Sequence, residues 1–201
     1  MRNVVRLALC AALMAGCATK PVTTLQATWV APQLPQTPFK KLLIITVSNE
    51  EFVQIAFQDQ MAAQLQARGI NAVASRRYFT RYTAAEKARF KRSIEESGAD
   101  FVLLARVTGT ERDSREDQWM TFGDATGIYT GYDRYLSVGM SASDHLEKTI
   151  TAEASIFAVE GEKLIWAART RTTNAAATTG AGYAPQYVAV ILEAMKKDKL
   201  F

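Results

Sequence analysis

Apolar runs and amphipathic stretches alternate regularly between residues 41 and 107. Leu42 to Val47 is apolar apart from one threonine and rich in β-branched residues, which is typical of a strand buried on both faces. A capping box at Ser48 to Glu51 then predicts a helix that ends at Gly69. We expect the core side of this helix to carry the residues that keep helical spacing, which are Phe52, Ile55, Ala56, Ala62, Ala63 and Leu65.

The same unit follows once more. Ile70 to Ser75 predicts a second strand, and its more polar composition places it near an edge of the sheet. Thr83 to Glu86 is a second capping box, and the helix that it opens is predicted to stop at Gly98. Asp100 to Val107 predicts a third strand. Two βαβ crossovers are therefore the expected topology of this half of the chain.

The second half changes to a period of two. Ile150 to Ala158 alternates apolar with polar residues, and a turn at 160–163 returns the chain into Leu164 to Thr170, as in an antiparallel hairpin. A closing amphipathic helix follows Pro185. We predict an α/β (α+β) fold, a mixed sheet built from βαβαβ, then a β-hairpin and a C-terminal helix, with the helices packed on the sheet. The large residues expected in its core are Phe57, Phe90 and Trp166.

The first seventeen residues have the pattern of a bacterial lipoprotein signal. Two arginines precede an uncharged apolar stretch, Leu7 to Ala15, which is shorter than the roughly 20 residues that span a bilayer. The small residues Ala15 and Gly16 before Cys17 complete a lipobox. Residues 1–16 are thus predicted to be a signal peptide, and Cys17 the lipidated N-terminus of the mature protein.

Residues 17–40 are predicted to be the lipidated cysteine and an extended tether. Four of the five prolines lie in this range, with threonine and glutamine between them, and only Trp29 and Val30 suggest a short strand that docks on the domain. Such a tether would hold a single domain, residues 41–201, a few nanometres from the lipid. Ala18 follows the cysteine. An aspartate at this position would favour retention in the inner membrane. By resemblance to Gram-negative lipoproteins, this predicts the outer membrane, with the domain in the periplasm.

The charge of the chain argues against a nucleic-acid partner. The net charge is +4, and removal of the signal peptide with Arg2 and Arg6 lowers it to about +2. Adjacent basic residues occur only as isolated pairs, such as 76–77 and 196–197, whereas a nucleic-acid-binding domain carries a dense basic face. Cys10 and Cys17 both belong to the signal region, so the mature domain is expected to have no disulfide.

The sequence predicts no catalytic residue, no metal site and no cofactor. His145 is the only histidine, which excludes a three-histidine zinc site, and no free thiol remains after lipidation. Gly123, Gly127 and Gly131 are regularly spaced, but no Gly-Lys-Ser/Thr follows them, so a phosphate-binding loop is not expected.

An insert at residues 113–146 separates the two halves. It combines glycines with aromatic residues and is long for a loop without secondary structure, which indicates either a functional segment or a disordered one. Aromatic side chains with a polar group suit a contact surface for a protein partner, a glycan strand or the membrane interface. The candidate partner-binding residues are Trp119, Phe122, Tyr129 and Tyr132.

Several stretches together resemble a group of small proteobacterial outer-membrane lipoproteins of unassigned function. They are the lipobox, the apolar strand 42–47, the helix end 65–70, the strand entry 98–100, the insert, and the segment 161–166. The architecture of these proteins is similar to the α/β domain shared by the periplasmic part of the curli-secretion lipoprotein and the N-terminal domain of the Tol-system β-propeller protein. The resemblance implies this fold and an envelope location.

We therefore predict a lipid-anchored, non-enzymatic outer-membrane lipoprotein that acts in cell-envelope assembly or maintenance through protein contacts. Its predicted partners are the membrane, through the N-terminal lipid, and an envelope protein. Two alternatives are a hydrolase that acts on cell-wall material and a subunit of an oligomeric secretion pore. The sequence predicts no oligomeric state.

Replacement of Cys17 by Ser tests the lipid anchor. The variant should lose acylation and accumulate as uncleaved precursor or soluble product, because each buried acyl methylene contributes about 0.8 kcal/mol to membrane binding. Metabolic labelling with a fatty-acid analogue measures this, and Cys10→Ser is the matched control that should label normally. Label that persists in Cys17→Ser would overturn the assignment.

Overall fold

The computed structural model describes residues 20–34, 39–48, 51–78, 87–110, 149–173 and 180–201. Three helices are present in these ranges, and none of them is long and apolar enough to cross a membrane. The helices are α1 (Glu51–Gln66), α2 (Lys87–Ser97) and α3 (Ala184–Lys197). The strands are β1 (Val22–Val30), β2 (Leu42–Val47), β3 (Ala72–Ala74), β4 (Phe101–Thr110), β5 (Thr149–Ala158) and β6 (Leu164–Thr173).

The six strands form one mixed sheet in the order β1-β6-β5-β4-β2-β3. The strand β2 pairs in parallel with both β3 and β4, as two βαβ units require. The pairs β4–β5, β5–β6 and β6–β1 are antiparallel. The predicted mixed α/β fold is therefore confirmed, including the hairpin, the C-terminal helix and the edge position of the second predicted strand.

The first strand corrects the predicted tether. Val22–Val30 pairs with β6 from Val22 opposite Thr173 to Val30 opposite Trp166, so this stretch belongs to the sheet. Its sequence contains neither proline nor a charged residue, the two features that most often keep a segment off a sheet edge. The predicted strand at Trp29 and Val30 is thus the end of a nine-residue strand, and the domain begins near residue 22 instead of residue 41.

The helices cover the sheet on both faces. On one face, α1 and α3 pack against Leu42 and Ile44 of β2 and against the middle strands, with Phe57 and Trp166 inside this cluster. On the other face, Phe90 and Ile94 of α2 pack against the alternate residues of β2 and β4. Phe57, Phe90 and Trp166 are all buried, so the predicted core positions are confirmed.

The buried side of α1 differs from the predicted one. The residues that face the sheet are Val53, Phe57, Gln58, Met61, Ala62 and Leu65. Phe52 is 70% exposed and Ile55 is 36% exposed, although helical spacing favoured both for the core. The helix carries two overlapping apolar stripes, and the series at every fourth residue from Val53 is the one that meets the sheet. Two large apolar side chains are consequently left in solvent near the start of α1.

Glycines end α1 and α2 as the sequence predicts. Gly69 has a φ of 81° and Gly98 a φ of 60°, both in the left-handed region that glycine adopts without steric cost. Each turn returns the chain to the same end of the sheet, from which β3 and β4 start. The opposite end of the sheet is the one at which β2 and β4 finish, and a pocket opens there.

Candidate functional site

A pocket opens at the carboxyl end of the parallel strands β2 and β4, on the face that α1 and α3 cover. Its volume is about 360 Å³ including the solvent-filled mouth. The carboxyl end of parallel strands is where ligands bind in many open α/β sheets. The residues that line it are Thr46, Val47, Ser48, Val53, Phe57, Ala105, Arg106, Val107, Ala152, Tyr183, Ala184 and Tyr187.

The sheet and the two helices that cover this face build the pocket. Thr46, Ala105 and Ala152 belong to adjacent strands and form its floor. Phe57 of α1 and Tyr187 of α3 form a wall, where their rings lie 5.2 Å apart at 54° and join the two helices. Because α1 and α3 both begin beside the pocket, the lining comes from the first two turns of these helices and from three adjacent strands.

The floor of the pocket contains one polar group of particular interest. The Thr46 side chain is only 6% exposed, and its hydroxyl makes no hydrogen bond within the described part of the structure. A buried hydroxyl without a partner costs about 1–3 kcal/mol relative to a solvated one. Val53, Phe57, Ala105 and Ala152 surround the cavity with apolar surface. The pocket is thus an apolar cavity, and the Thr46 hydroxyl lies buried beneath its floor without a partner in the described residues.

Exposed apolar side chains extend this surface outside the pocket. Phe52 precedes the pocket residue Val53 and is the most exposed large apolar residue of the described ranges. Ile55 lies one turn further along α1. The sequence predicts both residues in the core. The signal that could have placed them in solvent is the second apolar stripe of α1, which starts at Val53.

A row of three charged residues crosses the opposite face of the sheet at the same level. Arg106, Glu153 and Arg169 are direct neighbours on β4, β5 and β6. The Glu153 carboxylate accepts a hydrogen bond from Arg106 at 3.1 Å, and Arg169 donates two, at 3.0 and 2.5 Å. The side chains of Arg106 and Glu153 are buried, and Arg169 is 16% exposed. We name these three residues the ionic row.

The ionic row fixes the register of three strands. A shift of one residue between β4 and β5 or between β5 and β6 would turn one charge to the other face and separate it from its partner. A buried charge that loses its partner is strongly destabilising, by about 3–5 kcal/mol. The sequence shows one charged residue in β4, one in β5 and two in β6. The structure shows that Arg106, Glu153 and Arg169 meet.

The functional residues predicted from the sequence lie outside the described ranges. They include Cys17, the aromatic residues Trp119, Phe122, Tyr129 and Tyr132, and His145. The structure does place the ends of the segment that contains the insert. Residues 111–148 connect Thr110 of β4 to Thr149 of β5, at the same end of the sheet as the pocket.

Metal ligands do not cluster in the described ranges. No group of three or more histidine, cysteine, aspartate or glutamate side chains there is arranged to hold a metal ion. The acidic residues Glu95 and Glu96 of α2 point to solvent, as expected for a solvated helix face.

Comparisons with known proteins show a similarity of fold. No protein-family model and no curated protein matches the chain. Among solved structures, the PelC dodecamer from Paraburkholderia phytofirmans has 13% identity and a TM-score of 0.42, over 87% of this chain and 95% of that chain. A point variant of that dodecamer has 12% identity and a TM-score of 0.46, over 85% and 96% of the respective chains. Similarity at this level assigns no function to the chain.

Substitution of Glu153 by Gln tests the ionic row. Loss of the shared carboxylate charge leaves two arginines without their common counter-ion, so the free energy of unfolding should fall by about 3 kcal/mol or more. Asp59→Asn is the matched control, because Asp59 pairs with Arg76 at 2.8 Å in solvent and should cost at most about 1 kcal/mol. Urea unfolding at neutral pH measures both. Equal losses in the two variants would show that the ionic row adds nothing beyond a surface pair.

Proposed function

We propose that this chain is a lipid-anchored outer-membrane lipoprotein whose periplasmic domain acts in cell-envelope assembly or maintenance through protein contacts, without an enzymatic activity. We further propose that it is related to the small proteobacterial lipoproteins that its sequence resembles. The lipobox supports the anchor, since a basic start, a short apolar stretch and small residues before Cys17 occur in the order that lipoprotein processing requires.

The pocket carries the proposal of protein contacts. An open apolar cavity beside an exposed aromatic residue is suited to receive an apolar side chain from a partner, with the surrounding surface as a rim. Phe52 and Ile55 supply that surface on α1. Pairing of the Thr46 hydroxyl with a backbone group of the partner would remove the cost of its present burial.

The position of the insert supports the same surface. The strand residues that flank the connecting segment, Thr110 and Thr149, lie at the end of the sheet where the pocket opens. The aromatic residues Trp119, Phe122, Tyr129 and Tyr132 are therefore proposed to contribute to the same partner contact as the pocket. Aromatic residues are enriched at such interfaces because they bury a large area at low entropic cost.

Replacement of Thr46 by Val separates binding from stability. The substitution removes the unpaired hydroxyl and keeps the shape, so the free energy of unfolding should stay equal or rise by about 1 kcal/mol. The variant should nevertheless fail to restore the envelope of a deletion strain and should lose its in vivo cross-links to the partner. Thr170→Val is the matched control: the Thr170 hydroxyl donates to the Ala152 carbonyl at 3.3 Å, so stability should fall by about 1 kcal/mol. Function should be retained in that control, and full function in Thr46→Val would contradict the role of the pocket.

Joint replacement of Trp119, Phe122, Tyr129 and Tyr132 by Ala tests the insert. We expect a nearly unchanged melting temperature together with loss of the cross-linked partner and of complementation, because contact residues serve the interface and not the core. Thermal unfolding by circular dichroism and complementation measure the two properties. An unfolded domain would show that the rings belong to the core, and intact function would show that the insert is a spacer.

A further inference from the structure

The lipid anchor is separated from the sheet by very little chain. Residues 18–21 are all that lies between Cys17 and Val22, the first residue of β1. Pro21 is already buried against the domain. A chain spans at most about 3.6 Å per residue, so the step from Cys17 to Val22 covers no more than roughly 18 Å. This is much shorter than the reach expected of a tether that extends to residue 40.

The start of β1 is firmly held to the domain. Val22 pairs with Thr173 and Thr23 with Thr172 in the antiparallel ladder. The hydroxyls of Thr23 and Thr172 lie 2.9 Å apart, and the Thr24 hydroxyl donates to the carbonyl of Arg171 at 3.2 Å. The sheet therefore cannot move away from the lipid by releasing residues from β1 without breaking these bonds.

One end of the sheet is thereby brought to the membrane. Val22, Thr173 and Thr149 share a row across β1, β6 and β5, and we name the ends of these strands, residues 20–24, 149–151 and 170–173, the proximal tip. The exposed residues of the tip include Lys20, Val22 and Arg171. Its described residues contain these two cations, several threonines and no acidic side chain.

We propose that the proximal tip docks on anionic phospholipid headgroups and holds the domain flush against the bilayer. This inference rests on the lipid anchor of the proposed function. Cations near a bilayer are attracted by the surface potential of anionic lipids. The turn at Glu160–Glu162 lies at the other end of β6, whose nine steps of about 3.4 Å place it roughly 30 Å further from the membrane.

Depth measurement on single-cysteine variants tests the proposal. The mature chain has no cysteine except the acylated Cys17, so Thr173→Cys and Glu160→Cys each accept one fluorophore at an exposed site. The full lipidated protein is reconstituted into vesicles of phosphatidylethanolamine and phosphatidylglycerol with nitroxide-headgroup lipid. We expect quenching at position 173 to exceed that at position 160 several-fold. The ratio should fall towards one when twenty Gly/Ser residues are inserted between Ala18 and Thr19.

The charge of the tip is tested in the same vesicles. Lys20→Glu with Arg171→Glu should reduce quenching at position 173 at least twofold, as should replacement of phosphatidylglycerol by phosphatidylcholine. Arg68→Glu with Lys163→Glu, two exposed cations away from the tip, is the matched control and should leave quenching unchanged.

The outcomes distinguish docking of the proximal tip from lipid anchoring through Cys17. Protein that floats with the vesicles but shows equal quenching at the two positions, or quenching that is insensitive to lipid charge, overturns the docking of the tip and leaves the lipoprotein assignment intact. Protein that fails to float and carries no acyl chain on Cys17 overturns both.

Discussion

Strand β4 holds the two halves of this fold together. It is bonded to a parallel strand on one side and to an antiparallel strand on the other, so the βαβ half and the hairpin half of the chain meet along it. Every residue from Phe101 to Arg106 is buried, because helices α1 and α3 cover one face and α2 the other. Such a strand tolerates a polar side chain only where a partner is fixed beside it, and Glu153 supplies that partner to Arg106.

The unequal lengths of the strands around β4 create the candidate site. Val47 of β2 pairs with Arg106, and β4 continues to Thr110 beside β5. The antiparallel part of the sheet therefore projects beyond the parallel part, and the step between them opens into the pocket. The same projecting end holds the start of β1 and both ends of the segment that contains the insert. Backbone geometry alone thus connects the predicted lipidation site, the pocket and the predicted insert to one end of the domain.

Local patterns were enough to predict most of the fold. The apolar run of β2, the glycine stops of two helices and the alternation of the hairpin are signals within a few residues of one another. The strand β1 was misread because its partner, β6, lies more than a hundred residues away and only that pairing distinguishes the segment from an extended tether. Phe52 was misplaced because α1 offers two apolar stripes, and only contact with the sheet selects one. The pocket and the ionic row each combine side chains from three or more elements, which no periodicity records.

We propose that the end of the sheet at which β2 and β4 finish is the end that contacts the protein partner and the membrane. A photo-cross-linking amino acid placed in the lipidated protein in cells tests it directly, at Phe52, Ile55 and Thr173 near this end and at Arg68, Glu160 and Lys163 near the other. We expect cross-links to a discrete envelope protein from Phe52 and Ile55, to lipid from Thr173, and few from the three distant positions. Cross-links that concentrate at Arg68, Glu160 and Lys163, or that are equal at both ends, would contradict it.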